Sequence, residues 1–156
     1  MSAQDNARLA RTVYEAYNDR RFDDAAAVVT DDFELRNMGT GETFTGQDGV
    51  KRYMQAWATA FPDSAVEIRS VTADDQRAVV EFIGRGTHTG PLTSPMGTIP
   101  ATNRRVEIHF CEVDTIRGGR IASSNSYFDV ATMLRQLGVT PQEQMQPAGM
   151  PASPTA

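Results

Sequence analysis

The chain carries two histidines and one cysteine, and two of these three residues share one short run, Val106-Glu107-Ile108-His109-Phe110-Cys111. An imidazole can move a proton near neutral pH, so His109 is a candidate catalytic group; a lone strand histidine can equally be a hydrogen-bonded wall residue. Cys111 has no adjacent cation to lower its pKa and reads as an inert buried thiol lining the same wall. His88 stands in Thr87-His88-Thr89-Gly90 at a strand end, a common place for binding residues, although a polar turn would also account for it. A single cysteine excludes an intramolecular disulfide and a cysteine-based zinc cluster, and two histidines are too few for a histidine-rich site, so no metal is expected.

Which polar groups share a face with His109 depends on the turn at Arg117-Gly118-Gly119. A two-residue Gly118-Gly119 turn pairs 117 with 120 and sets Phe128 opposite His109. A three-residue loop with Gly119 in the left-handed position pairs 116 with 120 and sets Tyr127 there. Only the second places Glu107, His109, Cys111, Asn125, Tyr127 and Asp129 together on one face. That register is preferred, because the other leaves this polar set outside while Ile108 and Phe110 face the interior.

The elements that must position these groups come in two blocks. Residues 3–19 repeat Leu9, Val13, Ala16 and Tyr17 at helical spacing, and a second short helix is expected over 23–29. Tyr14 and Tyr17 stand on the first helix; Tyr17 can point its hydroxyl inward, although core packing is its first reading. A strand over 33–36 leads into the loop 37–46, where Asn37 could donate to a ligand carbonyl. Residues 47–61 form the best-patterned helix, with Val50, Tyr53, Met54, Trp57 and Phe61 on one stripe, Asp48 as cap and Pro62 as stop. Trp57 reads first as core and second as a pocket wall. Strands follow: one from Val66 to Val71, one over 77–86, then 104–116 and 120–129 as a hairpin, with a loop over 90–103. A last helix, 130–137, ends at Gly138. Helices first and strands after is an α+β order, and a long antiparallel sheet covered on one side by helices curls into a cone with an inner cavity.

Hydrophobic residues make up 40% of the 156 and charged residues 22%, which suits one soluble domain. Residues 139–156 hold four of the eight prolines without periodicity, and are expected to be a mobile tail outside a 1–138 domain. Net charge is −5, from 15 basic and 20 acidic residues, and the basic residues are scattered, which argues against a nucleic-acid partner. No apolar run approaches the ~18 residues of a membrane span, and no secretory signal opens the chain. A cytoplasmic protein taking a small molecule is the expectation.

Five motifs occur in a set order: Phe61-Pro62-Asp63, Gly86-Thr87-His88-Thr89-Gly90-Pro91-Leu92, Ile99-Pro100-Ala101-Thr102, Gly119-Arg120-Ile121, and Tyr127-Phe128-Asp129 with Met133 to Gly138. Over about residues 7–138 the chain thereby resembles the SnoaL-like polyketide cyclases, which implies the nuclear transport factor 2-like cone and a homodimer. It also implies intramolecular aldol chemistry without a cofactor, with an aspartate near the end of the last strand as general acid/base. Asp129 best matches that aspartate; as the residue before Val130 it is also a ready helix N-cap. Many relatives carry a Glu-His-Trp type run where this chain has Ser123-Ser124-Asn125. A cyclase or isomerase acting on a carbonyl compound is the leading expectation. The alternatives are a non-catalytic binding cone and a limonene-type epoxide hydrolase. The latter is disfavoured because no carboxylate follows Arg85 in Phe82-Ile83-Gly84-Arg85-Gly86. The expected binding residues are Tyr17, Asn37, Trp57, His88, Cys111, Asn125 and Tyr127 around Asp129 and His109.

Overall fold

A computed structural model describes residues 2–139. Helix α1 (Ala3–Asn18) starts with a reciprocal cap: Ser2 Oγ accepts from the Asp5 amide, and the Asp5 carboxylate accepts from the Ser2 amide. Its buried positions Asn6, Ala10, Tyr14 and Tyr17 follow one helical stripe. Helix α2 (Phe22–Ala27) is shorter than its sequence suggests. Strand β1 (Val29–Asn37) begins at Val29 instead of Phe33, because Val29 pairs with Ile121 and strand pairing outweighs local helix preference. After β2 (Thr43–Thr45), α3 (Gly46–Ala60) buries Val50, Tyr53 and Met54. Its N-cap is Thr45, with Asp48 in the first turn, so the expected cap is displaced by three residues.

Strands β3 (Ala65–Ala73) and β4 (Arg77–Thr87) follow as expected. The segment read as a loop, 90–103, contains a small separate hairpin, β5 (Leu92–Ser94) with β6 (Gly97–Ile99). Then come β7 (Arg105–Arg117), β8 (Arg120–Phe128) and α4 (Val130–Leu137). The main sheet has the order β2-β1-β8-β7-β4-β3, antiparallel except for the parallel pair β1–β8. Three register shifts, in β1–β8, β3–β4 and β7–β8, bend and twist it, as bulges do. Helices α1 and α3 fill the concave side with Ala10, Tyr14, Tyr17, Val50, Tyr53 and Met54, against Phe33, Leu35, Val80 and Phe82 of the sheet. The fold is the α+β cone expected from the sequence.

The Gly118-Gly119 turn has two residues, both at left-handed φ (59° and 76°), and pairs Arg117 with Arg120. One step on, Ile116 faces Ile121 but Thr115 faces Ser123, so Ala122 is a bulge. The turn is thus the two-residue alternative, but beyond the bulge the pairing matches neither expected register, with Phe128 opposite Phe110. His109 shares a face with Tyr127 and Asp129 as preferred, but that face is the outer one. Val106, Ile108, Glu112, Asp114 and Ile116 are buried, while Arg105, Glu107, His109 and Thr115 are exposed.

At the open end of the sheet, β8 stops at Phe128 opposite Phe110, and α4 replaces it along β7. Gln136 supplies both missing partners: its Oε1 accepts from the Glu107 amide at 2.8 Å and its Nε2 donates to the Glu107 carbonyl at 3.0 Å. Gly138 at φ 76° ends the helix, and Val139 packs on a second apolar cluster of Ala60, Phe61, Val106, Ile108, Met133 and Leu137. The remainder of the expected tail, 140–156, lies outside the described residues.

The hairpin segment is tied to α3 at Gly90, whose amide donates to the Ala60 carbonyl at 3.2 Å. A Cβ at Gly90 would sit 2.0 Å from the Thr59 carbonyl oxygen, a backbone atom that cannot turn aside. Gly90→Ala should therefore destabilise the protein at the upper end of the roughly 1–3 kcal/mol typical of overpacking, read as a lowered urea midpoint. An unchanged midpoint would show that the hairpin segment is not held there.

Candidate active site

The concave side of the sheet encloses a cavity of about 90 Å³ walled mostly by aromatic and aliphatic groups. Tyr14 and Tyr17 come from α1, Tyr53 and Trp57 from α3, Phe82 from β4 and Phe110 from β7. Against this wall β7 places two carboxylates two residues apart, Glu112 and Asp114, both buried and facing inward. Residues i and i+2 of a strand point the same way about 6.6 Å apart, so the two acids are neighbours on one face.

Each acid is held by named donors. Tyr14 Oη donates to Glu112 Oε1 at 2.7 Å, and Ser126 Oγ donates to Oε2 at 2.9 Å. Tyr53 Oη donates in turn to Ser126 Oγ at 3.3 Å. Ser124 Oγ donates to Asp114 Oδ1 at 2.5 Å, the one side-chain hydrogen bond Asp114 makes among the described residues. Both serines lie directly across β8 from the acids, Ser126 opposite Glu112 and Ser124 opposite Asp114.

Burial raises both acid pKa values. For Glu112, desolvation is opposed by the hydrogen bonds from Tyr14 and Ser126. For Asp114, desolvation is joined by the neighbouring Glu112 charge and opposed only by Ser124, which pushes its pKa up to about 7. The magnitudes explain this order. Taking a carboxylate out of water costs several kcal/mol even after relaxation, while a hydrogen bond to a charged group returns about 1.5–3 kcal/mol. Two donors hold Glu112 closer to its ordinary range, so it ionises first; one donor cannot do so for Asp114. The same desolvation, with the Glu112 charge nearby, drives the Tyr14 hydroxyl well above its usual range, so it remains a donor.

Tyr17 sits at the wall nearest solvent, its hydroxyl 2.6 Å from Ser64 Oγ. Arg20 fixes this corner. In a left-handed conformation (φ 58°) it donates to the carbonyls of Tyr17, Pro62 and Ser64 and lies 4.7 Å over the Tyr17 ring.

The expected catalytic residues are placed elsewhere. Asp129 is exposed and caps α4, its carboxylate accepting from the Thr132 amide at 3.1 Å and the Thr132 hydroxyl at 2.7 Å, which lowers its pKa. His109 is exposed on the outer face, and Cys111, Asn125 and Tyr127 lie on that same face. These five are corrected: the Ala122 bulge turns Asn125, Tyr127 and Asp129 outward, while His109 and Cys111 alternate with the buried Ile108 and Glu112 on β7 and so point outward too. His88 is fully buried but lines no cavity. Its Nδ1 accepts from the Thr102 amide at 3.2 Å, its backbone bonds Asn103 and Arg104, and burial lowers its pKa, so it anchors the 89–103 segment. Tyr17 and Trp57 do line the cavity, and Asn37 and Trp57 line a second one described below. Glu112, Asp114, Tyr14, Tyr53, Ser124 and Ser126 are the inward polar groups that sequence reasoning missed. Among the described residues no cluster of three or more His, Cys, Asp or Glu could hold a metal, and no helix is long and apolar enough to cross a membrane.

Residues 7–137 match the family described as SnoaL-like polyketide cyclase. The chain belongs to that family. No curated protein matches it. Among solved structures, a proposed SnoaL-like polyketide cyclase from Jannaschia sp. CCS1 superposes with a TM-score of 0.78 at 15% identity, covering 89% of this chain and 95% of the other. IdmH, a proposed polyketide cyclase from Streptomyces antibioticus, gives 0.71 at 25%, covering 86% and 99%. An LEH-like epoxide hydrolase from M. tuberculosis gives 0.66 at 21%, covering 86% and 90%. These likenesses establish the nuclear transport factor 2-like cone.

Linkage gives the acids a stability signature. The Asp114 pKa rises from 3.8 to about 7 on folding, so the native state holds a proton the unfolded chain has lost. Its contribution to stability is full below pH ~4 and is lost as pH rises through ~7. Urea unfolding across that window should show this loss, on the order of a few kcal/mol, and Asp114→Asn should flatten it. A variant with the wild-type slope would mean that Asp114 does not carry the proton.

Proposed function

We propose that this family member is a small-molecule cyclase or isomerase acting on a carbonyl compound by general acid–base catalysis, with Glu112 and Asp114 as the working pair. The observation that carries this reading is the placement of two unlike-titrating carboxylates on the wall of an apolar cavity. Catalytic acid and base roles arise where neighbouring groups have their pKa values pushed apart. Glu112, held by two donors, is the base that removes a proton from carbon beside the carbonyl. Asp114, protonated up to about pH 7, donates to the carbonyl oxygen as the enolate forms. The enolate carbon then attacks a second carbonyl, or is reprotonated at another position by Glu112, and the Asp114 proton passes to the product oxygen or returns. The cavity of about 90 Å³ is of the order of the roughly 150 Å³ sites that hold a benzene-sized ligand, so one ring or a short chain fits beside the acids.

The test needs no knowledge of the natural substrate. Exchange of deuterium from heavy water into the methyl group of a small aryl methyl ketone, followed by NMR, reports enolisation directly. Glu112→Gln should slow it by about 10² or more. Asp114→Asn keeps a donor and should cost less. The wild-type rate should fall as pH rises through ~7, where Asp114 loses its proton. A rate that instead rises through pH 7 would make Asp114 the base, and no enzyme-dependent exchange with any of a panel of ketones would favour a binding protein.

A homodimer through the outer face of the sheet completes the reading. Tyr127, 44% exposed on that face, stands among the part-buried Cys111, Val113 and Asn125, an aromatic that a second copy would cover. Light scattering should give twice 17.1 kDa for the wild type and the monomer mass for Tyr127→Arg. A wild-type monomer at micromolar concentration would remove the dimer.

A further inference from the structure

A second cavity of about 60 Å³ lies between α3, the β5–β6 hairpin and α4, with Asn37 and Phe128 in its wall. Tyr53 and Trp57 line both cavities, so the two adjoin at these aromatic side chains. Trp57 is the partition, meeting Phe110 edge-on at 5.8 Å on one side and Phe128 at 5.6 Å on the other. Tyr53 also reaches the acids, through Ser126 to Glu112.

The polar end of the second cavity is Asn37. Its side chain is 5% exposed, and its Oδ1 accepts from the amides of Gly39 and Thr40, which close the turn after β1. That fixes the amide orientation, with Oδ1 toward the turn. Its Nδ2 donates to no protein group among the described residues. That amide is not sealed off but keeps accessible surface, so a ligand oxygen entering the cavity can accept from it. Asn37 pairs with Ser126 across β1–β8, and Ser126 with Glu112 across β8–β7. The three therefore form one polar row across the inner sheet, its ends two strand spacings or roughly 10 Å apart.

We infer that the second cavity is a binding subsite for the distal part of an elongated substrate, with Asn37 Nδ2 donating to a second carbonyl or hydroxyl oxygen. The preferred ligand is then a flexible compound with two oxygens separated by several carbons: the reacting carbonyl lies at Asp114 and the other at Asn37, with the chain between them against Trp57. This rests on the acid–base reading only for where the first oxygen sits.

Binding tests it without turnover. Trp57 is the single tryptophan of the chain, so its fluorescence reports on both cavities. The two probes are a straight-chain methyl ketone of ten carbons and the diketone of the same length with a carbonyl near each end. Wild type should bind the diketone about threefold to tenfold more tightly, the scale of one hydrogen bond. Asn37→Asp keeps the turn acceptor and removes the amide donor, and should bring the ratio to about one. If that variant fails to fold, Ala56→Leu on the partly open helix wall narrows the same cavity and should lower the ratio as well. Equal affinities in wild type, or a ratio that survives both changes, would overturn the subsite. Intact diketone preference without deuterium exchange would overturn the acid–base reading alone; exchange without preference would overturn the subsite alone.

Discussion

Two carboxylates removed from water on one face of β7 constrain the rest of this structure. An apolar pair in their place would cost less, since desolvation of an ion exceeds what a few hydrogen bonds return. Their presence therefore dictates where hydroxyls must stand. Tyr14 must reach Glu112 from α1, the two serines must lie directly across β8, and Tyr53 must come from α3 to complete the chain of donors. Helix α1 is held to the sheet at both ends by polar links: Asn6 Nδ2 donates to the Asp74 carbonyl, and Arg20 clasps the Pro62 and Ser64 carbonyls. A helix free to slide by one turn, ~5.4 Å, would take the Tyr14 hydroxyl away from Glu112.

The wall at Ser123-Ser124-Asn125 reads differently once the register is known. Here Ser124 and Ser126 are short, and the space they leave is occupied by acids from the next strand. Charge has not left the pocket; it enters from β7 and is steadied from β8. Short serines at 124 and 126, directly across from Asp114 and Glu112, are what let β8 bond both buried acids.

Much of the fold was legible because each strong pattern had one physical reading. The Val50–Phe61 stripe, Pro62 as stop, the Gly-Gly hairpin and the Asp129–Gly138 helix with its two caps all stand where the sequence puts them. The site was misread for a reason that is local. Sheet parity is binary, so one extra residue at Ala122 exchanges inside for outside along the rest of β8. Nothing in Ile121-Ala122-Ser123 marks a bulge, and the polar set around His109 looked like a site because it was polar. The better signal was the apolar one. Val106, Ile108, Phe110 and Ile116 alternate on β7, and the two residues that complete their row are Glu112 and Asp114. A carboxylate in register with four large apolar side chains is an inward acid, whichever turn joins the strands. Likewise the 90–103 hairpin was hidden because three-residue strands carry too few alternations to read, and the prolines around them read as loop.

The unequal support of the two acids also decides how substrate entry acts on them. A ligand that fills the cavity becomes the neighbour of both buried carboxylates. An apolar ligand surface there raises the cost of charge for each, and raises it most for the acid with fewer protein donors. Glu112 retains Tyr14 and Ser126, so its charge is sheltered; Asp114 retains only Ser124 and holds its proton more firmly. On the proposed acid–base reading, binding would drive the pair toward one ionised base and one neutral acid. On that reading the unequal donors already bias the empty cone toward this split, and a carbonyl substrate would strengthen the bias.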